Sequence, residues 1–166
     1  MEVLVKLQQD YYRSHCGNVK PGDTWDHFDS YLIKIAEKRN IALMGLETSA
    51  KQIEMLNASV EMDWDEVDKE VKDWLKAWDD PDEERERCSF SYAYRSMQLD
   101  YQFDETCPEG LMVKGRNEQW MPVLTDFLKA KNCFVAVGLF HLTCDCGLIV
   151  KLREAGYSVE PITDLL

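Results

Sequence analysis

Three short stretches of this 166-residue chain carry residue types that could do chemistry. The first is Gly138-Leu139-Phe140-His141, at the end of the apolar run CFVAVG. A strand ending there would deliver the chain to the carboxyl end of a sheet, where ligands bind in open α/β folds. Gly138 would permit a tight turn, and His141 would stand at the rim as a metal ligand or general base. The plainer reading is a core or helix-capping histidine. Glu47 occupies the equivalent place at the end of LMGLE. It is either a second metal-competent group or a first-turn carboxylate favoured by the helix macrodipole. Arg116-Asn117 opens the helix before CFVAVG. This Arg could clamp a carboxylate or an oxyanion, or be a surface Arg beside a capping Asn. A fourth feature is His141-Leu-Thr-Cys144-Asp-Cys146. Its soft and borderline ligands could take zinc, but the cysteines are one residue apart instead of the usual two to four. A disulfide to another cysteine, or free thiols, are the alternatives.

The elements that must position these groups follow from periodicity. Val3, Leu4, Leu7 and Tyr11 have helical spacing within residues 1–14, and the pattern begins without a cap. That start suggests a chain cut from something longer. A loop at 16–24 holds Gly17, Asn18, Pro21 and Gly22. Asp23 or Thr24 would cap a helix over 25–39 that buries Phe28, Tyr31, Leu32 and Ile35. IALMGLE, 41–47, reads as a buried strand. Ser49 and Gln52 form a capping-box pattern opening a helix through Leu56. Trp64, Val67, Val71, Trp74, Leu75 and Trp78 make an apolar stripe on a helix over 64–78, read as core. Asp80-Pro81-Asp82 breaks it, and a further helix covers about 82–100 with Tyr92, Tyr94, Met97 and Leu99. A helix at about 115–131 carries Trp120, Val123, Leu124, Phe127 and Leu128. Pro122 would mark its late start or a bend. CFVAVG is a second buried strand, 145–155 a helix stopped by Gly156, and YSVEPI, 157–162, an edge strand because Pro161 suits an edge. The strand–helix–strand unit at 133–162 implies a parallel pair with a right-handed crossover. The expected class is α/β and helix-rich, with a small, mostly parallel sheet and flanking helices.

Composition narrows the partners. The net charge is −12, with acidic residues crowded into 61–86. A phosphate backbone is bound by Lys and Arg that release counterions, so nucleic acid and anionic membranes are poor partners. The acidic run itself reads as a solvated face and loop rather than a docking patch. No run of about 18 apolar residues exists, which gives no membrane span. No secretory leader is visible. There are six cysteines and no Cys-x-x-Cys pair. A chain of this size can build a core without a disulfide framework, so the redox compartment stays open.

The string RN-x2-WM…CFVAVGLFHL…GLIVKLREAGYSVEPI resembles the C-terminal part of the TraB/GumN family, to which TIKI-type metalloproteases are similar. DSYLIKIAEKRNIALMGLETSAKQIEMLN resembles the family's middle segment. Together they cover roughly residues 28–57 and 115–163, with 60–110 matching as a helical insert. The resemblance implies one TraB/GumN-like domain, or the C-terminal part of one, with an erythromycin-esterase/ChaN-like α/β fold truncated on its N-terminal side. It implies a divalent-metal site, of Mn, Co or Zn, built from two Gly-x-x-His motifs, a Glu and an Arg-Asn pair. Matched residue by residue, Glu47, Arg116, Asn117, Gly138 and His141 are present. The first Gly-x-x-His is absent: His15 lies in Arg-Ser-His-Cys-Gly, and His27 is placed on a helix. Two ligands, Glu47 and His141, are fewer than a tight catalytic metal uses.

The function expected from the resemblance is part of a metal-dependent, peptidase-like hydrolase, with an incomplete site in this chain. Glu47 and His141 would be ligands or acid–base groups, and Arg116 would stabilise negative charge. The substrate would be a peptide or a small molecule. The parent protein would be secreted, periplasmic or a lipoprotein. The ChaN-like relatives suggest an alternative, a non-catalytic module holding haem on His141 between Phe140, Trp120 and Met121. A third reading is a folded half without activity, whose unpaired core edge meets a second copy in a homo-oligomer.

Overall fold

A computed structural model describes residues 2–17, 28–59, 63–108 and 111–162. The expected loop residues Asn18, Pro21 and Gly22, the caps Asp23 and Thr24, His27 and Glu61 lie outside the described residues. The helices are α1 (Glu2–Tyr11), α2 (Phe28–Lys38), α3 (Ser49–Ser59), α4 (Trp64–Lys76), α5 (Pro81–Arg95), α6 (Arg116–Ala130) and α7 (Leu148–Glu154). π-helical turns at Tyr12–Cys16 and Leu111–Gly115 and a 3-10 turn at Leu139–Leu142 complete the regular structure. No described helix is long and apolar enough to cross a membrane.

The chain divides into two compact units, Met1–Trp25 with Glu61–Asp100, and Asp26–Val60 with Tyr101–Leu166. In the first, α1 and α4 pack around Leu4, Tyr11, Cys16, Val67, Trp74 and Cys88, with Leu7, Val71 and Trp78 against them. The stripe expected on α4 is split: Val67 and Trp74 are buried, whereas Trp64 and Leu75 face solvent. Asp80 accepts N–H bonds from Asp82 and Glu83 through its side chain, and Pro81 takes the first helical position. α4 has already stopped at Lys76, so Asp80-Pro81 does not end it but starts α5. That helix stops at Arg95, short of the expected 100, and Met97 takes φ 56° and is exposed. A disulfide joins Cys16 to Cys88. Tyr11 is fully buried, stacked on His15 and edge-on to Trp74 and Trp78. Its hydroxyl has no hydrogen-bond partner among the described residues, and burial raises its pKa above the usual phenol value.

The second unit is built on Trp120, Leu124 and Leu148, with Leu46, Met121, Leu128, Val137, Leu142 and Leu152 packed around them. Here the expected α/β class is overturned: no strand and no sheet occur among the described residues. A buried strand needs ladder partners and two covered faces. Ile41, Leu43 and Met44 are each more than half exposed, Phe134 is 82% exposed, and Ile162 is 79% exposed. Only Leu46 and Val137 of the two apolar runs reach the core cluster. The segments 41–47, 133–138 and 157–162 are thus irregular connections, and the parallel pair with its crossover is absent. The local apolarity was real, but an apolar run does not supply its own partner.

Smaller differences follow. Phe28 and Tyr31 of α2 are exposed, and Ala36 is the buried residue there. Thr48, not Ser49, caps α3, its Oγ1 accepting from the Lys51 N–H at 3.2 Å. Pro122 sits inside α6, which starts at Arg116 regardless. The helix expected over 145–155 is shorter, Leu148–Glu154, and Gly156 ends it at φ 89°, a conformation that favours glycine.

Candidate functional site

The first turn of α6 gathers the groups singled out by sequence. Arg116 grips Glu47 with two parallel bonds, Nη2 to Oε1 at 2.6 Å and Nε to Oε2 at 3.1 Å. Trp120, one turn further along α6, donates its indole N–H to the same carboxylate at 3.2 Å. The Arg116 guanidinium also lies 4.6 Å from the Trp120 ring. Both charged side chains are about 15% exposed, so the pair is shielded but not sealed. The fork matches a carboxylate in a way Lys could not.

Asn117 faces the other way and is 1% exposed. Its Nδ2 donates to the backbone carbonyls of His141 at 3.2 Å and Cys146 at 2.9 Å. Carbonyls only accept, so the amide orientation is fixed, and Oδ1 must face His141 Nδ1, 2.7 Å away. Oδ1 only accepts, so Nδ1 carries the proton. Nε2 then holds the lone pair, and no described residue hydrogen-bonds it. One nitrogen is thus tethered and the other keeps its lone pair, a state in which an imidazole could bind a metal. The Trp120 ring lies 4.4 Å from the imidazole. His141 is buried, and its pKa is pushed down to about 4 by desolvation first and then by the Arg116 charge, while Glu47 opposes. The imidazole is neutral at pH 7.

Glycines shape the approaches, though not at the position expected. Gly138 has φ −61° and ψ 145°, open to any residue, and a Cβ there would touch the His141 Cδ2 at an ordinary 3.8 Å. It accepts the His141 N–H that closes the 3-10 turn. Glycine is required instead at Gly147, where a Cβ would come within 2.6 Å of two carbonyl oxygens, and at Gly45, where one would meet the Glu47 carbonyl at 2.9 Å.

Cys107 and Cys146 form a disulfide, and Cys133 and Cys144 are free. The bond takes Cys146 out of the zinc set expected with His141 and Cys144. The Cys107 and Cys146 sulfurs and an Asp145 oxygen lie within 4.8 Å of one another, the sole such triad among the described residues. Asp145 accepts the Cys107 N–H at 3.0 Å. Of the apolar walls expected for haem, Trp120 is packed on His141, and Phe140 is 62% exposed. A shallow depression lined by Thr125, Lys129, Ala155, Gly156 and Tyr157 shares no residue with this group.

The structure therefore brings Glu47, Arg116, Asn117 and His141 together around the first turn of α6 in the second unit. Sequence reasoning gave Trp120 only a packing or haem-wall role and gave Cys107 and Asp145 none. Trp120 had a usable signal, four residues after Arg116 and so on the same helix face.

Among known proteins, the model of the TraB/PrgY/gumN family matches residues 12–161, and the chain belongs to that family. The match runs through 60–110, where the sequence resemblance was weakest. No curated protein and no solved structure matches the chain.

Proposed function

We propose that this TraB/PrgY/gumN-family chain supplies one side of a metal-dependent, peptidase-like hydrolase site. The observation that carries the reading is the tethered His141: Asn117 holds Nδ1–H, leaving the Nε2 lone pair toward a ligand. A pKa near 4 makes this imidazole a weak proton acceptor at neutral pH, yet keeps it in the neutral form a cation binds. The donor chemistry thus fits a divalent ion such as Mn, Co or Zn. Glu47 is the second donor, with lone pairs beyond the three N–H bonds it accepts. Two donors are one fewer than the three protein ligands common in hydrolytic zinc sites.

A bound ion would supply a water of lowered pKa and polarise a carbonyl. The chain's own groups do the rest. Arg116 spends two N–H bonds on Glu47 and keeps three for a developing oxyanion. Trp120 walls the imidazole from solvent and fixes the carboxylate. Asn117 sets the ring plane.

The test is titration of the metal-free chain with Co2+, followed by visible absorbance and by the imidazole resonances, with hydrolysis of a peptide series measured beside it. Binding that perturbs His141 and disappears in His141→Ala is expected. Binding unchanged in His141→Ala would sink the assignment.

A further inference from the structure

We infer that the Cys107–Cys146 disulfide selects the proton position on His141, acting through Asn117. The inference concerns the same site and rests on His141 being its donor. The route is short and fully bonded. The Thr143–Gly147 loop carries Cys144 at φ 62°, in the left-handed region, and Gly147 wedged against two carbonyls. Such a loop needs outside ties to keep one shape. The segment 101–107 provides four. Cys144 N–H donates to the Tyr101 carbonyl at 2.9 Å, and Asp145 N–H donates to the Glu105 carbonyl at 3.0 Å. Asp145 Oδ1 accepts the Cys107 N–H. The disulfide itself is the fourth and the only covalent one.

That loop presents the Cys146 carbonyl to Asn117 Nδ2, the shorter of the two bonds that fix the amide. With the clamp intact, Oδ1 is obliged to face Nδ1 of His141. With Cys146 released, the His141 carbonyl alone holds the amide. A flipped amide would set Nδ2 against the imidazole Nδ1, which must then accept. The proton would move to Nε2, and the lone pair offered to a cation would be gone. Cys107, Asp145 and Cys146 are therefore positioning residues: they touch no substrate, but they decide which face of the imidazole is basic.

The experiment reads the tautomer in the metal-free chain by nitrogen NMR of the imidazole, with far-UV circular dichroism as the fold control. Wild type should show a pyridine-type Nε2 and a slowly exchanging Nδ1 proton. Cys107→Ser/Cys146→Ser should lose much of the pyridine-type Nε2 signal, giving a mixture of tautomers and fast proton exchange. A folded double variant with the wild-type tautomer overturns the inference. If the double variant loses its helical spectrum, Cys16→Ser/Cys88→Ser, which keeps the Cys107–Cys146 bridge, is read before and after reduction by a dithiol, which breaks that S–S bond, leaves two thiols and departs as a disulfide. Reoxidation should then restore the Nδ1–H form, and an unchanged tautomer throughout overturns the inference. No metal enters this reading. A chain that binds no cation but shifts its tautomer with the bridge keeps the inference and removes the hydrolase proposal.

Discussion

His141 Nδ1 stands 2.7 Å from Asn117 Oδ1, and the two carbonyls on the far side of the same amide leave the proton only one place to be. Replacing Asn117 with Ala strips an N–H partner from His141 and a donor from two carbonyls. Each stranded group costs about 1–3 kcal/mol when it stays buried. Asn117→Ala should therefore lower unfolding stability by about 3 kcal/mol or more, measured by urea denaturation. Any affinity for a divalent cation should fall about 10- to 100-fold, the usual effect of losing such a tether. A variant within 0.5 kcal/mol of wild type, roughly the spread of neutral surface changes, would show that the amide is not the tether.

Acid should weaken the metal-free fold through His141. The folded imidazole titrates at about 4, and an unfolded one near the ordinary histidine value of 6.5. Between those values the unfolded chain binds a proton that the folded chain refuses. The contribution is fully present above about pH 6.5, falls as pH drops toward 4, and levels off below. Its size is on the order of 3 kcal/mol. Comparing wild type with His141→Gln across pH 4–7 isolates it; parallel curves would count against a buried neutral imidazole.

Glu47 and Arg116 should behave as a unit. Arg116→Ala leaves a shielded carboxylate with only the Trp120 indole, and Glu47→Ala leaves a shielded guanidinium. Both singles should destabilise by roughly 1–3 kcal/mol, and the double variant by less than their sum. Arg116→Lys should recover little, because an ammonium cannot make the fork. Strict additivity in the cycle would show that the pair is decorative.

Tyr11→Phe should leave stability unchanged or raise it by about 1 kcal/mol, since it deletes a buried hydroxyl that has no partner among the described residues and keeps the ring contacts. A loss above 1 kcal/mol in thermal or urea unfolding would reveal a hidden partner for that hydroxyl.

The residues that meet around the start of α6 were more legible than the fold. Glu47, Arg116, Asn117 and His141 stood out because each sits beside an abrupt change of pattern: LMGLE into α3, the start of α6, and CFVAVG into a turn. That Arg116, Asn117 and Trp120 share one end of a helix was announced by the apolar spacing of α6; that Glu47, 69 residues away, and His141, 24 residues away, pack against it was not. The sheet was misread because IALMG and CFVAV carry the composition of covered strands, while cover is a property of neighbours. Trp64 and Leu75 on α4 show the same limit, since a stripe can be wider than the surface it meets. The Cys107–Cys146 pairing had no local signal at all, being separated by 39 residues. Gly138 drew attention for a conformational freedom it does not use, while Gly147, which does lack room for a Cβ, had no pattern to mark it, and Gly45, which lacks it too, stood out only within the Gly-Leu-Glu string of the resemblance.

The Cys16–Cys88 bond closes a covalent ring around everything from 17 to 87. Glu47 lies inside that ring, whereas Arg116 and His141 lie on the tail beyond it. Two routes of covalent bonds therefore connect the carboxylate to its guanidinium. One cut by a protease anywhere in the ring severs only one of them, and the nicked chain runs as a single species until it is reduced. The local concentration of Glu47 at Arg116 is kept by the surviving arm. Proteolytic tolerance and redox state are linked by that topology: oxidised, the molecule can be opened without being divided; reduced, a cut between Glu47 and Cys88 separates Glu47 from the tail that carries Arg116 and His141.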